Sequence, residues 1–263
     1  MGAIFSIGLN TFREAIRSKV FYSMALFAIL IVITGHFLAD ISLHQEKRVL
    51  LDIGTGLISF FALMLSIFTG TSIIYKEIEK KTIYLILSKP VERWKFIAGK
   101  TAGLLATIFT VVGIMLIFFL LELYLMRISP GTNILKATIL ILSEVIVVVA
   151  ITIFFSSFTS PFITGMLTIG MVAIGRLLPD LKHIIQMKYE PDFIRSSVES
   201  LLQIFPQLYL FIPNGHDFNG VHVSITSDFV NWSFTFWSTA YALTYSGIFL
   251  FLASIILSKR DLT

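Results

Sequence analysis

The triplet Gly99-Lys100-Thr101 has the residue types that bind phosphate in nucleotide-binding loops. Such a loop needs a second glycine five residues before the Gly-Lys pair, and Trp94 occupies that position. The motifs HExxH and GxSxG are missing from the sequence, and its five histidines are scattered along the chain. The sequence therefore predicts no ATP site, no cofactor, no metal site and no catalytic residue in this chain.

Charged side chains are concentrated in one segment, Tyr75 to Thr101, where seven cations and three anions give a net charge of about +4. Pro90 disfavours helical geometry at the residue before it, and the sequence predicts that a helix restarts at Val91. Apolar residues among the charges indicate a short amphipathic helix before that break. The segment is therefore predicted to be a basic, partly apolar projection, and an ordinary solvated loop is the alternative interpretation.

The composition of the whole chain indicates what surrounds this charged segment. The chain has 263 residues, of which 56% are hydrophobic and only 14% are charged, and its mean hydropathy is +0.87. Soluble domains carry about 25% charged residues, so the composition predicts an integral membrane protein. The chain has no cysteine, which excludes disulfides and thiolate chemistry. The positive net charge is attributed to membrane topology, and no nucleic-acid partner is predicted.

Apolar stretches of membrane-spanning length predict an all-α fold with a single transmembrane domain over residues 1–263. The six predicted spans are residues 20–39, 50–74, 101–126, 134–158, 162–178 and 232–257. An N-terminal interfacial helix is predicted from Ala3, with Phe5, Leu9, Phe12 and Ile16 on its apolar face. Residues 75–100 form the predicted inside loop, and residues 179–231 form an outer segment with a helix opening at Pro191. Cationic loops are retained in the cytoplasm, so both termini are predicted to be cytoplasmic.

Two stretches carry a family resemblance. The order Glu77-x-Glu79-x-x-Thr82, then Ser88-Lys89-Pro90-x-x-Arg93 and Gly99-Lys100, resembles the first cytoplasmic loop of type-2 ABC exporter permeases. Lys81 stands where that family usually has glycine. The turn at residues 155–161 and the stretch Thr164 to Gly170 are similar to the same family, especially to the branch grouped with copper-enzyme maturation permeases.

The resemblance implies a coupling helix that docks on a separate ABC ATPase subunit, and that subunit binds ATP and Mg. It also implies a second permease subunit, as a homodimer or heterodimer, in the lipid of the cytoplasmic (inner) membrane. The residues predicted to couple the chain to the ATPase share one loop: Glu77, Glu79, Lys80, Thr82, Lys89, Pro90 and Arg93.

Two carboxylates lie in predicted spans. Glu144 is near the middle of the fourth span, and Glu122 is near the outer end of the third, within reach of headgroups. A carboxylate at mid-membrane depth is costly and must face protein or water. We interpret both as polar points on a translocation path or at a subunit interface. A protonated Glu144 that is hydrogen-bonded between helices is the alternative.

The resulting hypothesis is the transmembrane permease subunit of an ATP-driven exporter, which is not itself an enzyme. The alternative hypothesis is a membrane scaffold or accessory subunit that transports nothing. The small number of strongly polar groups in the predicted spans favours this alternative, because only Glu144 is central among them.

Overall fold

The computed structural model describes residues 2–16, 26–27, 29–31, 33, 46–71, 92–129, 131–188, 205–212, 216–218, 221–223 and 230–259. Within these ranges the protein is helical apart from one short hairpin. The α-helices are α1 (Gly2–Ile16), α2 (Glu46–Thr71), α3 (Arg93–Leu125), α4 (Asn133–Ser156), α5 (Pro161–Lys188) and α6 (Trp232–Lys259). A 3-10 helix spans Leu208–Phe211, and the antiparallel strands β1 (His216–Phe218) and β2 (Val221–Val223) pair with each other.

Helix α4 lies at the centre of the bundle and packs against α2, α3, α5 and α6. The run from Val147 to Ile153 is buried on every side of the helix. A helix that is apolar all round is typical of a buried position. The surrounding helices leave large apolar side chains exposed, among them Phe68, Ile117, Phe162 and Phe251, as expected for surfaces that face lipid.

Among the described residues, five helices are long and apolar enough to cross a membrane. They are Lys47–Thr71, Trp94–Leu125, Asn133–Ser156, Pro161–Leu181 and Trp232–Ser258. These correspond to five of the six predicted spans. The first predicted span, residues 20–39, lies mostly outside the described residues. Its described part is helical, and the Phe27 ring packs edge-on against Phe61 of α2 with ring centroids 5.8 Å apart. The sixth span therefore stays a prediction.

Helix α3 begins at Arg93, two residues after the predicted restart at Val91, and residues 93–100 are its first turns before the third predicted span. The fifth helix extends beyond its predicted span. Helix α5 continues through Pro179 to Lys188, although the sequence predicted an end at Leu178. A proline removes one backbone hydrogen bond and kinks a helix, but membrane helices tolerate it where neighbouring elements support the chain.

Part of the predicted outer segment, residues 179–231, packs into the bundle. In residues 205–212 the 3-10 helix packs against α4 and α5, and its Leu208 and Phe211 are fully buried. The backbone N–H of Gln207 donates to the Tyr241 hydroxyl of α6 at 3.1 Å. This segment enters the bundle among three helices. The predicted helix that opens at Pro191 lies outside the described residues.

Helix α1 docks on the first half of α3 through glycines. A Cβ atom added to Gly103 would lie 2.7 Å from the Cβ of Thr11, and one added to Gly99 would lie 2.8 Å from the Cβ of Ile7. The face of α1 that packs on α3 is therefore the one with Gly8 and Thr11, which are buried. The predicted interfacial role of the face with Phe5, Leu9, Phe12 and Ile16 stays a prediction. Phe5 is 71% exposed.

The turn between α4 and α5 agrees with the sequence, since Pro161 is the first helical residue. The carbonyl of Ser160 accepts the backbone N–H of Thr164 at 2.8 Å. The Ser156 hydroxyl donates to the Thr71 carbonyl at 3.3 Å, which joins the ends of α4 and α2. These contacts define one end of the bundle, called the loop end below, where α2 and α4 finish and α5 begins.

Candidate functional site

An ion pair buried in the bundle joins two helices. The Arg176 guanidinium of α5 donates from Nε to Oε1 of Glu144 and from Nη2 to Oε2, each at 2.8 Å. Nη2 also donates to the Ser59 hydroxyl of α2 at 2.7 Å. Two parallel N–H···O bonds fix the relative orientation of both planar groups. The three side chains, called the polar triad below, therefore connect α2, α4 and α5 at one point.

The polar triad lies near the middle of all three helices. Ser59 and Glu144 each lie twelve residues before the end of their helices, Thr71 and Ser156. At a rise of 1.5 Å per residue, both are roughly 18 Å from the loop end. Arg176 is fifteen residues into α5, which is roughly 22 Å by the same rise. The hydrocarbon core of a bilayer is about 30 Å thick, so the triad is close to its centre.

The surroundings of the pair explain why both charges are tolerated. Glu144 is fully buried in α4, and Ser59 is buried in α2. An isolated charge at this depth is expensive, whereas a hydrogen-bonded pair compensates each charge with the other. Arginine has only donors, so a bidentate contact of this geometry corresponds to an ionised carboxylate. The geometry thus favours an ion pair over the alternative of a protonated Glu144.

The two partners differ in exposure, and this difference gives the site a direction. The Glu144 side chain is 1% exposed, whereas that of Arg176 is 27% exposed. The Glu144 carboxylate is therefore the buried end of the pair, and the Arg176 side chain reaches the surface of the bundle. The site can present positive charge and N–H donors to a molecule outside the bundle.

Arg176 was missed as a site residue by the sequence analysis. The sequence places it at the edge of the outer segment, since the predicted fifth span ends at residue 178. One signal could have identified it: between Lys136 and Asp180 the only charged residues are Glu144 and Arg176, and their charges are opposite. Two lone opposite charges in consecutive spans indicate a pair.

Glu122, the second predicted carboxylate, lies near the end of α3, and its residue is 4% exposed. Its predicted role on a translocation path or at a subunit interface stays a prediction. The neighbouring Phe119 fills the space beside Gly54 of α2 and is fully buried. The structure thus brings Glu122 to an interhelical position, but it does not place it beside the polar triad.

The predicted coupling residues Glu77, Glu79, Lys80, Thr82, Lys89 and Pro90 lie outside the described residues. Arg93 is the first residue of α3, but its side chain is outside the described part. Their role in coupling therefore stays a prediction.

Polar contacts order the chain at the point where it leaves that loop. Lys95 Nζ donates to Glu92 Oε1 at 3.0 Å, and Trp94 Nε1 donates to Glu92 Oε2. The hydrogen bonds from Lys95 and Trp94 hold the pKa of the Glu92 carboxyl below its usual range. A lowered pKa means that the contribution of this contact is present above pH 4.5 and is lost as the pH falls through the folded value. Because Glu92 is exposed, the effect on overall stability is small.

Gly99 and Lys100 belong to the resemblance, and the structure gives them a packing role. Gly99 faces Ile7 of α1 closely. Lys100 is buried, and its ammonium lies 5.9 Å from the centroid of the Phe96 ring. Gly99 thus belongs to the contact between α1 and α3, whereas Lys100 packs beside Phe96 within α3.

The fold and the polar triad together define a class: a multi-pass helical membrane protein whose bundle holds a charged pair at mid-membrane depth. The model of a known family, described as ABC-2 family transporter protein, matches residues 6–262. The chain belongs to that family of membrane transport subunits, and the family implies an ABC ATPase as a partner. A comparison with curated proteins gives no significant match.

Proposed function

We propose that this chain is the permease subunit of an ABC exporter in the cytoplasmic membrane, driven by ATP hydrolysis in a separate ATPase subunit. The observation that carries the proposal is the family match over residues 6–262, almost the whole chain. The resemblance of the loop before α3 to exporter permeases supports the finer assignment, and so does the similarity of residues 155–161 and 164–170 to the copper-enzyme maturation branch of that family. In this proposal both termini face the cytoplasm, and a second permease subunit completes the path.

Helix α3 is suited to carry force from the loop into the membrane. It is a single helix of 33 residues that starts at Arg93, directly after the charged loop, and ends at Leu125. Helix α1 is packed on its first half, so we expect α1 and the start of α3 to move as one body. Closure of the ATPase dimer would push on residues 77–93 and tilt this body relative to α2, α4 and α5.

The structure weakens the reason for the alternative, a scaffold that transports nothing. That hypothesis depended on the small number of strongly polar groups in the spans. Arg176 adds a second charge at mid-depth, and its side chain is partly exposed. A purely structural bundle has no need of a charged side chain that reaches its surface at this depth.

The proposal is tested by purifying the tagged chain from its native membranes and measuring ATP hydrolysis in the purified complex. We expect an ABC ATPase to co-purify with the wild-type chain. The triple variant Glu77→Ala, Glu79→Ala, Arg93→Ala should lower the yield of ATPase at least tenfold, because it removes charges from the predicted contact. The control Lys47→Ala changes an exposed cation at the opposite end of α2 and should leave the yield unchanged. Purification of the wild-type chain without any ATPase would contradict the proposal.

A further inference from the structure

Arg176 has more hydrogen-bond donors than the polar triad uses. A guanidinium carries five N–H groups. One on Nε and one on Nη2 go to Glu144, and the second N–H of Nη2 goes to Ser59. Nη1 keeps two N–H groups, and no acceptor for them is found among the residues that the structure describes. Unpaired donors of a charged group are costly in an apolar medium, so these two favour an oxygen acceptor from outside the chain.

The direction of the pair indicates the charge of that acceptor. Glu144 is sealed inside the bundle, while the Arg176 side chain is 27% exposed. The pair therefore forms a dipole whose positive end points outward. A phosphate or carboxylate oxygen at Nη1 would be closer to the guanidinium than to the buried carboxylate. In a medium of low dielectric constant this difference in distance gives a net attraction.

The surface around the guanidinium indicates what such an oxyanion would be attached to. On α5, Ala173 lies one turn before Arg176 and the Asp180 carboxylate lies one turn after it, and both residues are exposed. On α2, Phe60 follows Ser59 and is 53% exposed. Gly56 lies one turn before Ser59, and an added Cβ there would meet nothing within 4 Å. Ala173 and Phe60 are apolar and Gly56 lacks a side chain, so these three positions suit a hydrocarbon body and leave room beside α2.

We propose that the polar triad is a binding site for an amphiphile with an oxyanion headgroup, a phosphate or a carboxylate carried on an apolar body. Nη1 of Arg176 binds the headgroup, and Glu144 and Ser59 hold the guanidinium in position. The exposed apolar surface of α2 and α5 contacts the body. The identification of this amphiphile as cargo rests on the proposed function, whereas the binding itself does not.

The first test uses the purified chain in a neutral detergent, with its thermal unfolding midpoint, Tm, as the readout. The probes are dodecyl phosphate, the uncharged 1-dodecylglycerol and inorganic phosphate. We expect dodecyl phosphate to raise the Tm of the wild-type chain, and the other two probes to have much smaller effects. The double variant Glu144→Gln, Arg176→Gln removes both charges and keeps a polar amide at each position. It should bind dodecyl phosphate at least tenfold more weakly.

The matched control is Lys47→Gln, which removes an exposed cation at the far end of α2 and should keep the wild-type response. An equal response of the double variant would place the binding elsewhere and overturn the proposal. An equal response of the wild-type chain to 1-dodecylglycerol would overturn the role of the oxyanion. An equal response to inorganic phosphate would overturn the role of the apolar body.

A second measurement uses the wild-type chain alone, in case the double variant does not fold. A dodecyl phosphate with a photoreactive diazirine in its alkyl chain is irradiated with the protein, and the labelled peptides are mapped. We expect labels within residues 53–63 and 169–180, which dodecyl phosphate without the diazirine should displace. Labels confined to other helices would contradict the proposal. Neither assay contains an ATPase or ATP, so a negative result here leaves the proposed permease function intact.

Discussion

Glu144 and Arg176 stabilise the bundle through each other. Either charge alone at mid-membrane depth would be expensive, and the bidentate contact at 2.8 Å supplies each with its counter-ion. Ser59 adds a third bond at 2.7 Å from the neighbouring helix. The contribution of each residue to stability therefore depends on the other two. The effects of single substitutions on the free energy of unfolding should not be additive.

The first prediction concerns this non-additivity. Arg176→Gln leaves a buried carboxylate without a counter-ion, so we expect it to reduce the free energy of unfolding by about 3–5 kcal/mol. Glu144→Gln combined with Arg176→Gln should recover most of that loss, because the two amides can hydrogen-bond without charge. Reversible denaturant unfolding in detergent measures both values.

Ser59→Ala is the matched variant at the same site, because it removes one hydrogen bond and leaves the charges paired. We expect it to lower the free energy of unfolding by about 1–3 kcal/mol. If the double variant were as unstable as Arg176→Gln alone, the unpaired carboxylate would not be the cause of the loss, and the first prediction would be contradicted.

At the scale of elements, glycines decide where helices approach each other. Gly103 of α3 faces Gly8 and Thr11 of α1, and Gly175 of α5 faces Pro206 and Leu208 of the buried 3-10 segment. Small residues allow close contact of backbones within membranes. Gly113 and Gly170 lie on the same two helices with nothing within 4 Å of an added Cβ, so each offers a matched control.

The second prediction tests the packing of α1 against α3 at Gly103. Gly103→Ala places a Cβ against the backbone of α1, which should push α1 away from α3. The chain has no cysteine, so Thr11→Cys gives a single reporter at a buried position. We expect its maleimide labelling rate to rise at least tenfold in the Gly103→Ala background and to stay unchanged with Gly113→Ala. Equal rates in all three backgrounds would show that α1 is not seated through Gly103.

The third prediction tests whether residues 205–212 lie inside the bundle. A Cβ on Gly175 would lie 2.6 Å from the Pro206 carbonyl oxygen, so Gly175→Ala should displace the 3-10 segment. With Leu208→Cys as the reporter, a membrane-impermeant maleimide should react slowly in the parent and at least tenfold faster with Gly175→Ala. Gly170→Ala should give the parent rate, and fast labelling of the parent itself would place the segment at the surface.

The sequence predicted the helices better than their ends and contacts. A long apolar run predicts a membrane-spanning helix, because every backbone N–H and C=O group in the hydrocarbon core must be hydrogen-bonded within the protein. Pro179 misled the prediction, since local propensity favours an end there while the surrounding bundle supports the helix. The packing of Leu208 and the pairing of Glu144 with Arg176 are tertiary contacts. No local pattern specifies the partner in such contacts, although the isolated opposite charges of the pair were visible.

At the scale of the whole molecule, the proposed function connects a loop, a long helix and a site at mid-depth. In that proposal the loop before Arg93 would receive the force, α3 with α1 would carry it, and α2, α4 and α5, which hold the polar triad, would rearrange. Helices α2 and α3 both pack on α4. A tilt of α3 would therefore change the surroundings of α4, which holds Glu144 in place.

The most direct test of this account, and its fourth prediction, uses the natural absence of cysteine. Lys89→Cys places a single thiol in the predicted coupling loop. In intact cells it should resist a membrane-impermeant maleimide, and in isolated membranes a bifunctional thiol–amine cross-linker should join it to an ABC ATPase. We expect an adduct with the mass of the chain plus one ATPase subunit. Labelling of the introduced thiol from outside the cell, with no ATPase adduct, would contradict the central claim that a cytoplasmic ATPase moves this chain through that loop.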